Sequence, residues 1–132
     1  MKNVLKHGVL AGLLAGIVSV VYQMVYSSSM VVDFSAIANP VMIVISSIVG
    51  SFIAGLGYWF LRKRNWLGAK TDLVFNSLYF ILSFVSIYGT FGASLPEGTA
   101  QAELFPGLVI PMHFFPVIFW LTLKPVFEKN KV

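Results

Sequence analysis

The chain reads as four long apolar runs separated by short polar ones. The runs extend over Gly8 to Tyr26, Pro40 to Leu61, Thr71 to Phe91 and Leu104 to Leu123. Each is close to the roughly 20 residues that an α-helix needs to cross the hydrocarbon layer of a membrane. Ser27 to Asn39 holds Asp33, Arg62 to Lys70 reads "RKRNWLGAK", and Gly92 to Glu103 carries turn chemistry in Pro96-Glu97-Gly98. The pattern predicts an all-α integral membrane protein: one domain, residues 1–132, built as a bundle of four transmembrane helices.

Composition agrees. Hydrophobic residues make up 58% of the chain and charged residues 11%, against roughly 25% charged in soluble domains. The mean hydropathy is +0.85. Such a chain has too few polar groups to cover its surface in water, and the lipid bilayer is its natural surrounding. There is no cysteine, which excludes disulfide frameworks, thiolate metal sites and cysteine nucleophiles.

The charges orient the bundle. Lys2 and Lys6 precede the first run, Arg62, Lys63, Arg64 and Lys70 lie between the second and third, and Lys124, Lys129 and Lys131 follow the fourth. These are all 9 basic residues, and four crossings put them on one side. Asp33, Glu97 and Glu103 lie on the other side. The positive-inside rule then places the N and C termini and the middle loop in the cytoplasm, with a bacterial inner (plasma) membrane as the expected location. The pI near 9.5 is therefore a topology signal and not a nucleic-acid footprint, although it favours weak attraction to anionic lipid heads. Trp59, Trp66 and Trp120 fall near the cytoplasmic interface, and Tyr22, Tyr26 and Tyr88 near the outer one, as expected of aromatic belts. "MKNVLK" and the first run resemble a signal peptide, with Ala36-Ile37-Ala38 as a cleavage site. The run is too long for that, and the site lies too far beyond it, so the first helix is expected to stay.

In lipid, helices associate through close backbone approach and polar seams. The first run offers Gly8, Gly12 and Gly16, continued by Ser19, Gln23 and Tyr26 within an arc of about 80°. The second answers with Ser47, Gly50, Ser51, Ala54, Gly55 and Gly57. These grooves predict a tight hairpin of the first two helices, with a homo-oligomer interface as the sharper alternative. In the third run Asp72, Asn76, Tyr79, Ser83, Ser86 and Thr90 are spaced 4, 3, 4, 3 and 4, again within about 80° of arc. Unpaired polar groups are costly in hydrocarbon, so this stripe faces protein or water. It is either a hydrogen-bonded seam or one wall of a polar cavity. Asp72 is expected in the N-cap region, where amide N–H groups and the helix dipole favour a carboxylate.

The fourth run contains Pro106, Pro111 and Pro116, which predict a kinked helix. Pro111 releases the carbonyl of Gly107 and Pro116 that of Met112. His113 sits between them near the expected midplane, with Ser83 and Tyr79 as its nearest candidate partners. Either the imidazole donates to a carbonyl and steadies the kink, or it serves a ligand or proton pathway with Asn76, Tyr79, Ser83, Ser86, Thr90 and Gln23.

Catalytic signatures are absent. No G-x-S-x-G, H-E-x-x-H or glycine-rich phosphate loop occurs. The spans hold no cluster of metal ligands, and no metal or cofactor is expected. The stretch "IVGSFIAGL" (Ile48 to Leu56) resembles the second helix of fluoride-channel proteins, which are also small four-span chains. The complete orientation bias departs from that family, and no functional residue is carried over. The leading expectation is a non-catalytic accessory or structural subunit that packs into a homo-oligomer or a larger membrane complex. The alternative is a small channel or proton-linked transporter that uses the third-helix stripe and His113.

Overall fold

The computed structural model describes residues 2–66, 68–91, 95–96, 99 and 101–128; the side chains of Ala69, Ser86, Thr90 and Glu128 fall outside that description. The protein has four long helices, α1 (Lys2–Met30), α2 (Pro40–Arg64), α3 (Thr71–Phe91) and α4 (Phe105–Glu128). Single 3₁₀ turns at Gly68–Lys70 and Ala102–Leu104 lead into α3 and α4. Among the described residues there is no strand. All four helices are long and apolar enough to cross a membrane.

The helices run past the apolar segments because backbone hydrogen bonding does not stop where lipid would. Their ends follow local chemistry. Asn39 caps α2 by accepting the amide of Val41 at 2.9 Å, and Pro40 occupies the first helical position, where no N–H is needed. Asn65 ends α2 in the left-handed conformation, its N–H on the carbonyl of Arg62. Val31 closes α1 at φ 56°, with the Val32 amide on the Ser27 carbonyl at 3.1 Å. A β-branched residue is strained there. In the turn that follows, the Ser35 amide bonds Asp33, and hydrogen bonds from Ser35 hold the Asp33 carboxyl below its usual range.

α1 is the central helix, packed along α2 on one side and α4 on the other, and α3 is held mainly by α4. The start of α1 and the ends of α2 and α4 meet at one end of the bundle, here termed the basic end. The α1–α2 contact is close because it is built on glycine. A Cβ on Gly12 would lie 2.5 Å from the Ser47 carbonyl oxygen and 2.6 Å from the Ile48 Cα, and one on Gly8 would lie 2.6 Å from the Ser51 carbonyl oxygen. A Cβ on Gly16 would lie 2.8 Å from the Val44 Cα. Gly50 differs from its expected place: nothing lies within 4 Å of its Cβ position, so it faces away from α1. Val44, Ile48, Ser51 and Gly55 form the α2 side of the contact.

The core has two parts. At the basic end Trp120 is fully buried among Ala11, Tyr58 and Phe75. At the opposite end Phe34, Phe105 and Leu108 pack together. Trp120 is thus not a belt residue, because its ring has protein on every side. Tyr58 and Phe75 meet it edge-on or tilted with centroids 5.6 Å away, and Tyr79 at 6.0 Å.

Candidate functional site

Three of the four prolines of α4, Pro111, Pro116 and Pro125, sit inside the helix, whereas Pro106 lies in its first turn. A first-turn proline removes no ladder hydrogen bond, so Pro106 is a helix starter and not a kink residue. The carbonyl of Gly107, released by Pro111, accepts the Tyr22 hydroxyl at 2.9 Å. One turn away the Tyr26 hydroxyl donates to the Leu104 carbonyl at 2.8 Å. The outer tyrosines of α1 therefore serve α4 rather than water.

His113 makes a local bond. Its Nδ1 lies 2.9 Å from the carbonyl oxygen of Val109, one turn back on the same helix. The expected partners Ser83 and Tyr79 have other contacts. Ser83 donates to the Tyr79 carbonyl at 3.1 Å, and the Tyr79 hydroxyl lies 3.4 Å from that of Ser51.

The rest of the described α3 stripe forms a seam. The Tyr58 hydroxyl donates to the Asp72 carboxylate, which also pairs with Lys124 at 3.5 Å. Asp72 lies in the first turn of α3, and these two contacts direct its carboxylate to α2 and α4. Asn76 accepts the Trp120 indole N–H at 3.2 Å. These bonds tie α3 to α2 and α4. Ser86 and Thr90 lie outside the described side chains.

Beyond Ser51 and Tyr79, α2 and α3 enclose a groove of about 500 Å³, open to the side and floored by α1 and α4. Tyr79, Ser83 and His113 border it, with Ser46, Ser47 and Gly50 on the α2 side. Its lining is mostly apolar, with hydroxyl groups set into it. Ser19 contributes to the floor. It is fully buried, and its hydroxyl has no hydrogen-bond partner among the described residues. Gln23, one turn further along α1, donates to the Ala38 carbonyl, and its own side-chain oxygen is buried with no partner among the described residues.

Compared with known protein families, with characterised proteins and with solved structures, the chain matches none.

A second cavity, of about 760 Å³, opens at the basic end. His7 lines it, 4% exposed, with Nε2 2.8 Å from the Trp120 carbonyl oxygen. Its ring stacks on Trp120 at 4.2 Å and lies 5.1 Å from Phe127. His7 is not among the candidate residues read from the sequence. A signal was present: His7, Ala11, Ala15, Ser19 and Gln23 recur every fourth residue, and all are buried. His7 and His113 border different cavities and do not form a joint site. Among the described residues, no group of three or more histidine, aspartate or glutamate side chains is placed to hold a metal.

Proposed function

We propose that this protein is a non-catalytic integral membrane protein, an accessory or structural subunit that assembles side by side with further transmembrane helices. Its termini and the Arg62–Lys70 segment face the cytoplasm, and α4 bends at Pro111 and Pro116. The observation that carries the assignment is the way the α3 stripe is used. Asp72, Asn76, Tyr79 and Ser83 all have partners within the bundle. Asp72, Asn76 and Tyr79 tie α3 to α2 and α4, Ser83 bonds back within α3, and these four described side chains leave no row of unpartnered polar groups. The groove between α2 and α3 supports lateral assembly. Gly50 leaves open space there, and small residues let a second backbone approach closely.

The test uses the lack of native cysteine. Gly50→Cys is labelled with a maleimide–benzophenone reagent in native membranes and photolysed, so that a partner needs no thiol of its own. A dimer of this chain identifies a homo-oligomer, and a discrete larger adduct identifies a heteromeric complex. A monomer whose introduced thiol is freely modified would reject lateral assembly through the groove.

A small channel or proton-linked transporter is the second reading. The observation in its favour is the buried Ser19 hydroxyl, without a partner among the described residues, in a cavity that His113 also borders. This reading requires proton or solute flux in reconstituted vesicles that His113→Ala abolishes.

A further inference from the structure

The cavity at the basic end has the chemistry of an anion site. Lys2 of α1, Arg62 and Lys63 of α2, and Lys124 of α4 all line it. Its wall is a set of rings: His7, Tyr58, Trp59, Trp120 and Phe127. No carboxylate is among the described lining residues. Asp72, which is not among the lining residues, pairs with Lys124 and also attracts Arg62, so its single negative charge leaves a net of three positive charges. The volume of about 760 Å³ lies within the roughly 300–1,000 Å³ of small-molecule sites.

A simpler account covers only part of this. Arg62, Lys63 and Arg64 end α2, and cations there complement the helix dipole. That explains neither Lys2 nor Lys124, which come from other helices to the same cavity. Arg62, Lys63 and Arg64 each lie over the ring four residues earlier on α2, whereas Lys124 reaches the Tyr58 ring from α4. The Lys63 Nζ is 5.2 Å from the Trp59 ring centre, the Arg62 guanidinium 5.9 Å and the Lys124 Nζ 5.5 Å from that of Tyr58. These contacts gather positive charge around an aromatic-walled opening, which favours an anion there.

We propose that this cavity binds a phosphate ester. Lys2, Arg62, Lys63 and Lys124 neutralise the phosphate, and the ring wall packs against its organic part. Two sources share this chemistry, the headgroup of an anionic phospholipid and a phosphorylated soluble molecule. The cavity would serve either at a membrane surface, where basic pockets between helices take anionic headgroups. The site is at the opposite end of α2 from the lateral groove, and the proposal does not depend on what fills that groove.

The test titrates the full-length protein in neutral detergent and follows tryptophan fluorescence and Tm. The probes are short-chain phosphatidylglycerol, short-chain phosphatidylcholine and inorganic phosphate. Saturable binding of phosphatidylglycerol, with phosphatidylcholine and inorganic phosphate inert, supports the site and names a lipid. Saturation by inorganic phosphate also supports it and names a soluble ligand. Lys2→Gln/Lys63→Gln removes two rim cations. At about fivefold per basic residue, it weakens binding roughly 25-fold. Lys6→Gln/Arg64→Gln makes the same change of charge at residues that do not line the cavity, and leaves the Kd within about twofold. All four side chains are exposed, and single Lys2→Gln, at about fivefold, serves if either double variant folds poorly. No saturable response to either phosphate probe, or equal losses in the two double variants, overturns the proposal.

Discussion

A single methyl group added at Gly12 should separate α1 from α2. The new Cβ would lie 2.5 Å from the Ser47 carbonyl oxygen and 2.6 Å from the Ile48 Cα, where ordinary contact begins at 3.4 Å. Both atoms are backbone, so no side chain can turn aside, and the helices must part by about 0.9 Å along that line. Overpacking of this kind costs about 1–3 kcal/mol. Alanine returns about 0.5–1 kcal/mol through its better helix propensity. Gly12→Ala is therefore expected to lose about 1 kcal/mol net, within a range of about 0–2.5 kcal/mol. Gly50→Ala is its control, because it gains the same propensity and meets nothing within 4 Å. It should be neutral or up to about 1 kcal/mol more stable. Reversible unfolding of both variants, in mixed micelles of increasing sodium dodecyl sulfate, measures the difference. If Gly12→Ala unfolds at the same point as Gly50→Ala, the glycine ridge is not the α1–α2 contact.

Tyr22→Phe should cost about 1 kcal/mol by leaving the Gly107 carbonyl without its donor. In a Pro111→Ala background the new amide can take that carbonyl, so the cost should shrink, and a double-mutant cycle of unfolding free energies reads the coupling. Val31→Gly should raise stability by about 1 kcal/mol, since glycine carries no penalty at φ 56°; an unchanged midpoint would mean that Val31 is not strained in the folded chain. Ser35→Cys should react with an impermeant maleimide from outside intact cells, and Arg64→Cys only after lysis. The reverse pattern would invert the proposed topology.

The fold was legible because each helix carries its own record. Four apolar runs predict four helices, and the interval of four in Gly8, Gly12 and Gly16 marks a face without knowledge of its partner. What lies between helices was less legible. Trp120 looks like an interface residue by its type and its depth. It is the centre of the bundle because His7, 113 positions away, and Asn76, 44 positions away, both bond to it. Only the order of packing, with α1 between α2 and α4, brings those residues together. The groove was hidden for the same reason. A short connection between α2 and α3 suggests intimate neighbours, yet they meet mainly around Tyr58 and Asp72 and leave a gap beyond. The spacing of the polar stripe marks a face, but one helix cannot say whether its face is met by protein or water; in the described part, Asp72, Asn76 and Tyr79 meet protein.

The two ends of the bundle differ in how their described polar groups are satisfied, and Ser19 marks the difference. Around Trp120, Tyr58 and Lys124 meet Asp72, Asn76 meets the Trp120 indole, and His7 reaches the Trp120 carbonyl, all between different helices. Along the groove, a fully buried serine has a hydroxyl with no partner among the described residues, an arrangement that costs about 1–3 kcal/mol. Something in the groove must offset that cost if Ser19 is to be more than a defect. A polar group of a docked helix would do so, as would a solute or water in a conducting pathway. Ser19→Ala distinguishes use from accident. In the isolated chain it should be neutral or stabilising, because it removes the orphan. If a neighbour supplies the missing bond, the same variant should weaken the Gly50→Cys cross-link while the monomer gains stability. A cross-link of undiminished yield would show that no assembled partner reaches Ser19, and lateral packing would then have to use another face.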